Sequence, residues 1–108
     1  GYSTSGTSLL SSKFNAPYGI TVDVKGGIYV ANSGEEMIVY LTGGKYYPRA
    51  GNPGTSGHKD GSGFGAATEL DGPNGLTTDN QGNLYICDYY GGYIRKLSKF
   101  FNISLTLG

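Results

Sequence analysis

Cysteine, histidine and charge are all scarce in this chain. Its 108 residues include one Cys, Cys87, and one His, His58. A single Cys excludes an intrachain disulfide. One His and one Cys are also too few to converge on a zinc ion, so neither a metal nor a cofactor is expected. Charged residues make up only 15% of the chain, and eight basic side chains balance eight acidic ones. That leaves no electrostatic footprint for a nucleic acid. No apolar run approaches the roughly 20 residues needed to cross a bilayer, so no membrane span is expected. A signal-peptide pattern is missing, and the chain opens on Gly1 rather than Met, as a processed product or a segment of something longer would. There is no Gly-x-Ser-x-Gly elbow, no His-Glu-x-x-His and no phosphate loop. Helical periodicity is absent too; 8–14 and 66–70 could each form at most one turn.

What is abundant is Gly, at 20 residues, and Tyr, at 10. Evenly spaced β-branched and aromatic residues between Gly, Asn, Asp and Ser argue for short strands and tight turns rather than disorder. The chain also says nearly the same thing twice. Pro17-Tyr18-Gly19-Ile20-Thr21-Val22-Asp23 returns 56 positions later as Pro73-Asn74-Gly75-Leu76-Thr77-Thr78-Asp79. Of the 25 positions from Pro17 to Leu41, 8 are identical in the second copy. A repeat of this period marks a stacked or radial architecture. Strands are expected at 19–23, 27–31, 37–41 and 45–50, and again at 75–79, 83–87, 93–97 and 102–107. Asp23 and Asp79 would bond amides in the turn ahead, with Gly26 and Gly82 taking its positive φ. Asn32 and Asp88 are read as turn-bonding residues as well. Ile20, Val22, Ile28, Val30, Leu76, Leu84, Ile86, Ile94 and Leu97 should build the apolar sheet faces. Phe14 and Leu70 would plug the gap between adjacent sheets. Cys87 stands where the first copy has Ala31, which favours a small buried residue over a reactive thiol.

These motifs resemble the NHL-repeat family of β-propellers. Pro73-Asn74-Gly75, Asp79, Gly82-Asn83, Tyr85-Ile86-Cys87-Asp88 and Ile94-Arg95-Lys96-Leu97 follow that family's pattern. The first copy matches through Pro17-Tyr18-Gly19, Asp23, Gly26-Gly27, Tyr29-Val30-Ala31-Asn32 and Ile38, but has Val39 and Tyr40 at the family's basic pair. The resemblance implies an all-β fold: two four-stranded antiparallel propeller blades, part of a larger propeller or assembly. Blade 1 with its preceding connector would be 1–51, and blade 2 with its connector 52–108. Two blades leave sheet faces bare, and such faces demand a partner. The partner would be other blades, supplied by copies of this chain or by the rest of a longer one; open stacking into a filament is the non-closing variant.

In such a propeller, the connectors between blades and the turns between second and third strands share one face. Here that loop face would carry Glu35, Glu36, His58, Lys59, Asp60, Tyr89 and Tyr90. Carboxylates, a histidine and paired tyrosines could grip a protein or glycan ligand. Asp60-Gly61-Ser62-Gly63 lacks the alternating ligands of a calcium loop and is read as a glycine-supported turn. Lys25, Arg95, Lys96 and Lys99 are too scattered for RNA. Asn102-Ile103-Ser104 is the one glycan-acceptor pattern, which fits an extracellular setting. The expected function is a non-catalytic structural and interaction module. Its rival is a fragment of a propeller enzyme, amidating-lyase-like or strictosidine-synthase-like, with metal ligands outside this chain.

Overall fold

The computed structural model describes residues 7–8, 14–65, 68–99 and 102–107. In chain order these form β1 (Thr7–Ser8), β2 (Pro17–Val22), β3 (Ile28–Asn32), a 3-10 turn (Ser33–Glu35), β4 (Met37–Thr42) and β5 (Lys45–Ala50). The second half contributes β6 (Gly61–Ser62), β7 (Pro73–Thr78), β8 (Leu84–Asp88), β9 (Tyr93–Leu97) and β10 (Asn102–Leu107). They make two antiparallel sheets, ordered β1-β5-β4-β3-β2 and β6-β10-β9-β8-β7. The eight long strands fall where the β-branched and aromatic runs place them, within two residues at each end. Each sheet also has a fifth strand that the sequence reading omits. Two residues of the preceding connector pair with the outer strand, Thr7 with Tyr46 and Gly61 with Ile103. Segments this short, in Gly- and Ser-rich connectors, carry no alternation to read.

Alternation sorts each sheet into two faces. Cross-strand partners share a face, as Val30 and Val39 do on one side and Ala31 and Ile38 on the other. The rear face of the first sheet, with Tyr29, Ala31, Ile38 and Ala50, packs on the front face of the second, with Leu84, Ile86, Leu97 and Ile103. Leu70 fills the seam between them, as expected of a plug, and is fully buried. Each buried Leu or Ile here contributes on the order of 1.5–3 kcal/mol, so this seam holds the two sheets together. A second cluster, Val30, Met37, Val39 and Tyr46, lies on the front face of the first sheet. The Phe14 ring packs on that of Tyr46 there at 5.5 Å, tilted by 56°, but stays partly exposed because no sheet among the described residues lies beyond it.

The repeat is also obeyed atom by atom in its turns. Asp23 Oδ1 accepts the amides of Lys25 and Gly27 at 3.0 and 2.9 Å. Asp79 Oδ1 accepts those of Gln81 and Asn83 at 2.8 and 3.0 Å. Gly26 and Gly82 close these turns at φ 85° and 91°, a region costly for any residue with a Cβ. Asn32 and Asp88 receive the amides of Asn15 and Asp71 at 2.8 and 2.7 Å. The inner strands β2 and β7 lie close, and the Thr78 hydroxyl donates to the Val22 carbonyl at 3.0 Å.

Two expectations are corrected. Cys87 is exposed, not buried. Ile20 and Val22 alternate onto the front face as read, yet are 66% and 58% exposed. The cause is the same in both cases: the side chains point at a stretch of sheet face that nothing among the described residues covers, although Phe14 and Phe64 do cover the outer part of the first sheet's front face.

Candidate functional site

The Pro-x-Gly turns begin the site. Pro17 pairs with Asn32 and the next matched pair is Ile20 with Val30, so Tyr18 and Gly19 together oppose Ala31. Pro73, Asp88, Leu76 and Ile86 repeat that register around Asn74 and Gly75. These are β-bulges, which re-aim side chains at the end of a strand. Proline is tolerated there because it is the first residue of its strand. Gly19 is required by packing, since a Cβ would run into the main-chain carbonyl of Asn74.

Opposite the bulges stand the two turns that leave the second long strand of each sheet. In the first sheet the 3-10 turn ends on Glu36, held at φ 59°. Its carboxylate accepts the Gly72 amide at 2.8 Å, and the Ser33 hydroxyl donates to the Pro73 carbonyl. In the second sheet the amides of Tyr89 and Tyr90 donate to the carbonyls of Gly72 and Asp71, both at 3.1 Å. The two tyrosine rings meet edge to face at 5.2 Å. Bulges and turns together enclose a cleft of about 670 Å³, lined by Tyr18, Asn74, Ser33, Glu36, Tyr89 and Tyr90 with Ala16, Gly34 and Gly72.

Of the seven loop-face candidates, Glu36, Tyr89 and Tyr90 therefore meet at one cleft. Glu35 stands beside it, and its carbonyl accepts the Gly54 amide at 2.9 Å. His58, Lys59 and Asp60 are not among the lining residues. The His58 ring lies 5.1 Å from that of Tyr93. Lys59 and Asp60 belong instead to a network around Arg95. The guanidinium is fully buried and donates to Asp88 Oδ2 at 3.0 Å, Asp60 Oδ1 at 2.9 Å, and the carbonyls of Glu69 and Lys59 at 2.9 and 3.1 Å. This ties the long connector to the second sheet. Burial pushes the Asp88 carboxyl up, against the pull of the Asp71 amide and Arg95. Sequence reasoning treated Arg95 as one of four scattered cations. The usable signal was its register: cross-strand from Ile86, it had to face the seam. Tyr18 and Asn74 were missed because a bulge is invisible to simple alternation.

At the opposite turns the two aspartates differ. The Tyr40 hydroxyl donates to Asp23 Oδ2 at 2.6 Å; burial, helped by that bond, pushes the phenol up to about 12. Asp79 is held down at about 2, chiefly by the Asn83 side chain. Asn102, the glycan candidate, heads β10 and pairs with Ser62. Among the described residues no group of three or more His, Cys, Asp or Glu is placed to hold a metal. No helix there is long and apolar enough to cross a membrane.

The architecture is that of two β-propeller blades, and solved structures share it. The chain is similar to a protein of unknown function from Bacteroides thetaiotaomicron (22% identity, TM-score 0.72), over 88% of this chain and 22% of that one. It is similar to an auxiliary nutrient binding protein from Bacteroides ovatus (21% identity, TM-score 0.74), over 91% of this chain and 26% of the other. Virginiamycin B lyase from Staphylococcus aureus matches over 95% of this chain and 30% of its own length, at 19% identity and a TM-score of 0.66. At these identities the likeness establishes the fold. The chain thus spans less than a third of the propeller proteins it matches. No protein-family model matches the chain, and no curated relative matches it by sequence.

Proposed function

We propose that this chain is a non-catalytic assembly unit of a larger NHL-type propeller, completed by further blades. One observation carries the reading. The rear face of the second blade, with exposed Cys87, is the repeat equivalent of a face that is sealed by a neighbouring blade in the first. The front face of the first blade has the matching deficit at Ile20 and Val22. Open faces of this kind are stabilised by burying them against a partner. The partner is either copies of this chain or the rest of a longer polypeptide, and the loop face is left free for a protein or glycan ligand. An extracellular setting, with Asn102 as glycan acceptor, belongs to the same proposal.

The test is the mass of the native particle beside that of the denatured chain, together with thiol labelling of Cys87. Assembly predicts a particle several blades in size with Cys87 protected until it is unfolded. A 108-residue chain that stays monomeric in its native source, with Cys87 labelled at once, would sink the proposal.

A further inference from the structure

We infer that the cleft between the two blades binds a neutral oligosaccharide, with Tyr18, Tyr89 and Tyr90 as the surfaces on which its rings rest. The inference rests on the proposed loop-face ligand and narrows it to one chemistry; it is separate from assembly, which concerns the sheet faces.

The fold does not ask for these residues. The cleft is built from repeat-equivalent positions of both blades, yet the members of each pair differ: Tyr18 against Asn74, Ser33 against Tyr89, Gly34 against Tyr90. Many seam and core positions behave otherwise, as Val30 with Ile86 and Leu41 with Leu97 show, the exchange of Val39 for Arg95 being matched by a pairing network of its own. A blade accepts either residue at the cleft positions, so folding does not explain three tyrosines there. Those tyrosines are 74%, 66% and 78% exposed. The backbone points the same way. Among the described residues two non-glycine residues have positive φ, Ala16 at 51° and Glu36 at 59°. Both line the cleft, and the other blade has Gly72 and Gly92 at those positions. Strain of this kind collects at ligand sites, where surrounding structure holds it in place.

The lining selects the ligand. Among the described residues no Lys, Arg or His borders the cleft, which disfavours phosphates and acidic ligands. One Glu36 oxygen is engaged by Gly72, and the other is left to accept a hydroxyl. Asn74 and the tyrosine hydroxyls offer further donors and acceptors. Flat rings beside such groups match a sugar, which alternates C–H faces with hydroxyls. The volume of about 670 Å³ lies within the range of roughly 300–1,000 Å³ typical of small-ligand sites. Tyr89 and Tyr90 meet at 72°, a corner rather than the groove that a polyproline helix fills.

The experiment is titration of the chain with cello-, malto- and xylo-oligosaccharides, followed by tyrosine fluorescence and NMR shifts, with a proline-rich peptide in parallel. At least one saccharide should bind with a Kd of about 1 mM or below. Tyr89→Ser and Tyr90→Gly, which install the first blade's own residues, should each weaken it about tenfold while leaving the unfolding midpoint unchanged. Tyr18→Asn, borrowed from the second blade, is the independent third variant. No saccharide binding at about 10 mM, binding indifferent to all three variants, or binding of the peptide alone would overturn the inference. None of these outcomes bears on assembly, which is read from particle mass and Cys87.

Discussion

The rear faces of the two blades carry matching residues in opposite circumstances. Tyr29, Ala31 and Ile38 are sealed in the seam. Their repeat partners Tyr85, Cys87 and Ile94 border an open, mostly apolar hollow of about 330 Å³. Alternation along a strand decides which face a side chain joins, but only a neighbouring sheet decides whether that face is dry. The front faces differ in chemistry instead. Val39 sits in an apolar cluster, whereas Arg95 at the same repeat position is buried against Asp88 and Asp60. The seam between blades is thus held by apolar packing, and the ionic lock beside it fastens the second sheet to its own connector.

Three experiments would break or sharpen this comparison. The largest effect should come from the lock. Arg95→Val alone strands the buried Asp88 carboxylate and should cost about 3–5 kcal/mol in urea unfolding. Adding Asp88→Asn makes the pair resemble Val39 and Asn32 of the first blade, keeps an acceptor for the Asp71 amide, and should restore most of that loss. A single variant costing under about 1 kcal/mol would mean that the lock is ornamental.

The next effect separates two equivalent glycines. Gly19→Ala meets the Asn74 carbonyl across the seam and should cost about 1–3 kcal/mol. Gly75→Ala meets only Cys87 Sγ at 3.5 Å, an ordinary contact, and should stay within about 0.5 kcal/mol. Equal costs in thermal unfolding would contradict the difference between sealed and open faces. In an assembled particle the two costs should converge.

The smallest effect is in pH dependence. The depressed pKa of Asp79 contributes stability that is present above its ordinary value of 3.8 and lost as pH falls toward 2. The raised pKa of Tyr40 contributes stability that is present below 10 and lost as pH climbs toward 12. The second blade's turn should therefore fail in acid and the first blade's in alkali. Denaturant midpoints across that range should show Tyr40→Phe shrinking the alkaline loss and sparing the acid one. An unchanged alkaline limb would assign that loss elsewhere, with Tyr29, also raised by burial, the first suspect.

Much of the scaffold was legible. Eight strands, the Asp-bonded turns and the Leu70 plug follow from period, turn chemistry and a doubled pattern, all local properties. The site was legible only in part. Tyr89, Tyr90 and Glu36 could be placed on one loop face, and the structure gathers them; His58, Lys59 and Asp60 looked similar in sequence, but lie away from the cleft. Composition could not distinguish a solvated acid from Asp60, whose partner Arg95 lies 35 positions away.

By itself, then, the amino-acid sequence determined what each repeat is: which residues form strands, where the turns close, and which face each side chain joins. These depend on backbone preferences and a period of two, which act between near neighbours. The tertiary structure alone decided that Cys87 is open while Ala31 is sealed, that Arg95 is a lock, and that Tyr18 joins Tyr89 and Tyr90 around one cleft. Those outcomes depend on how the two sheets stack. Burial and charge pairing are set by whatever lies across a gap, which no local pattern encodes.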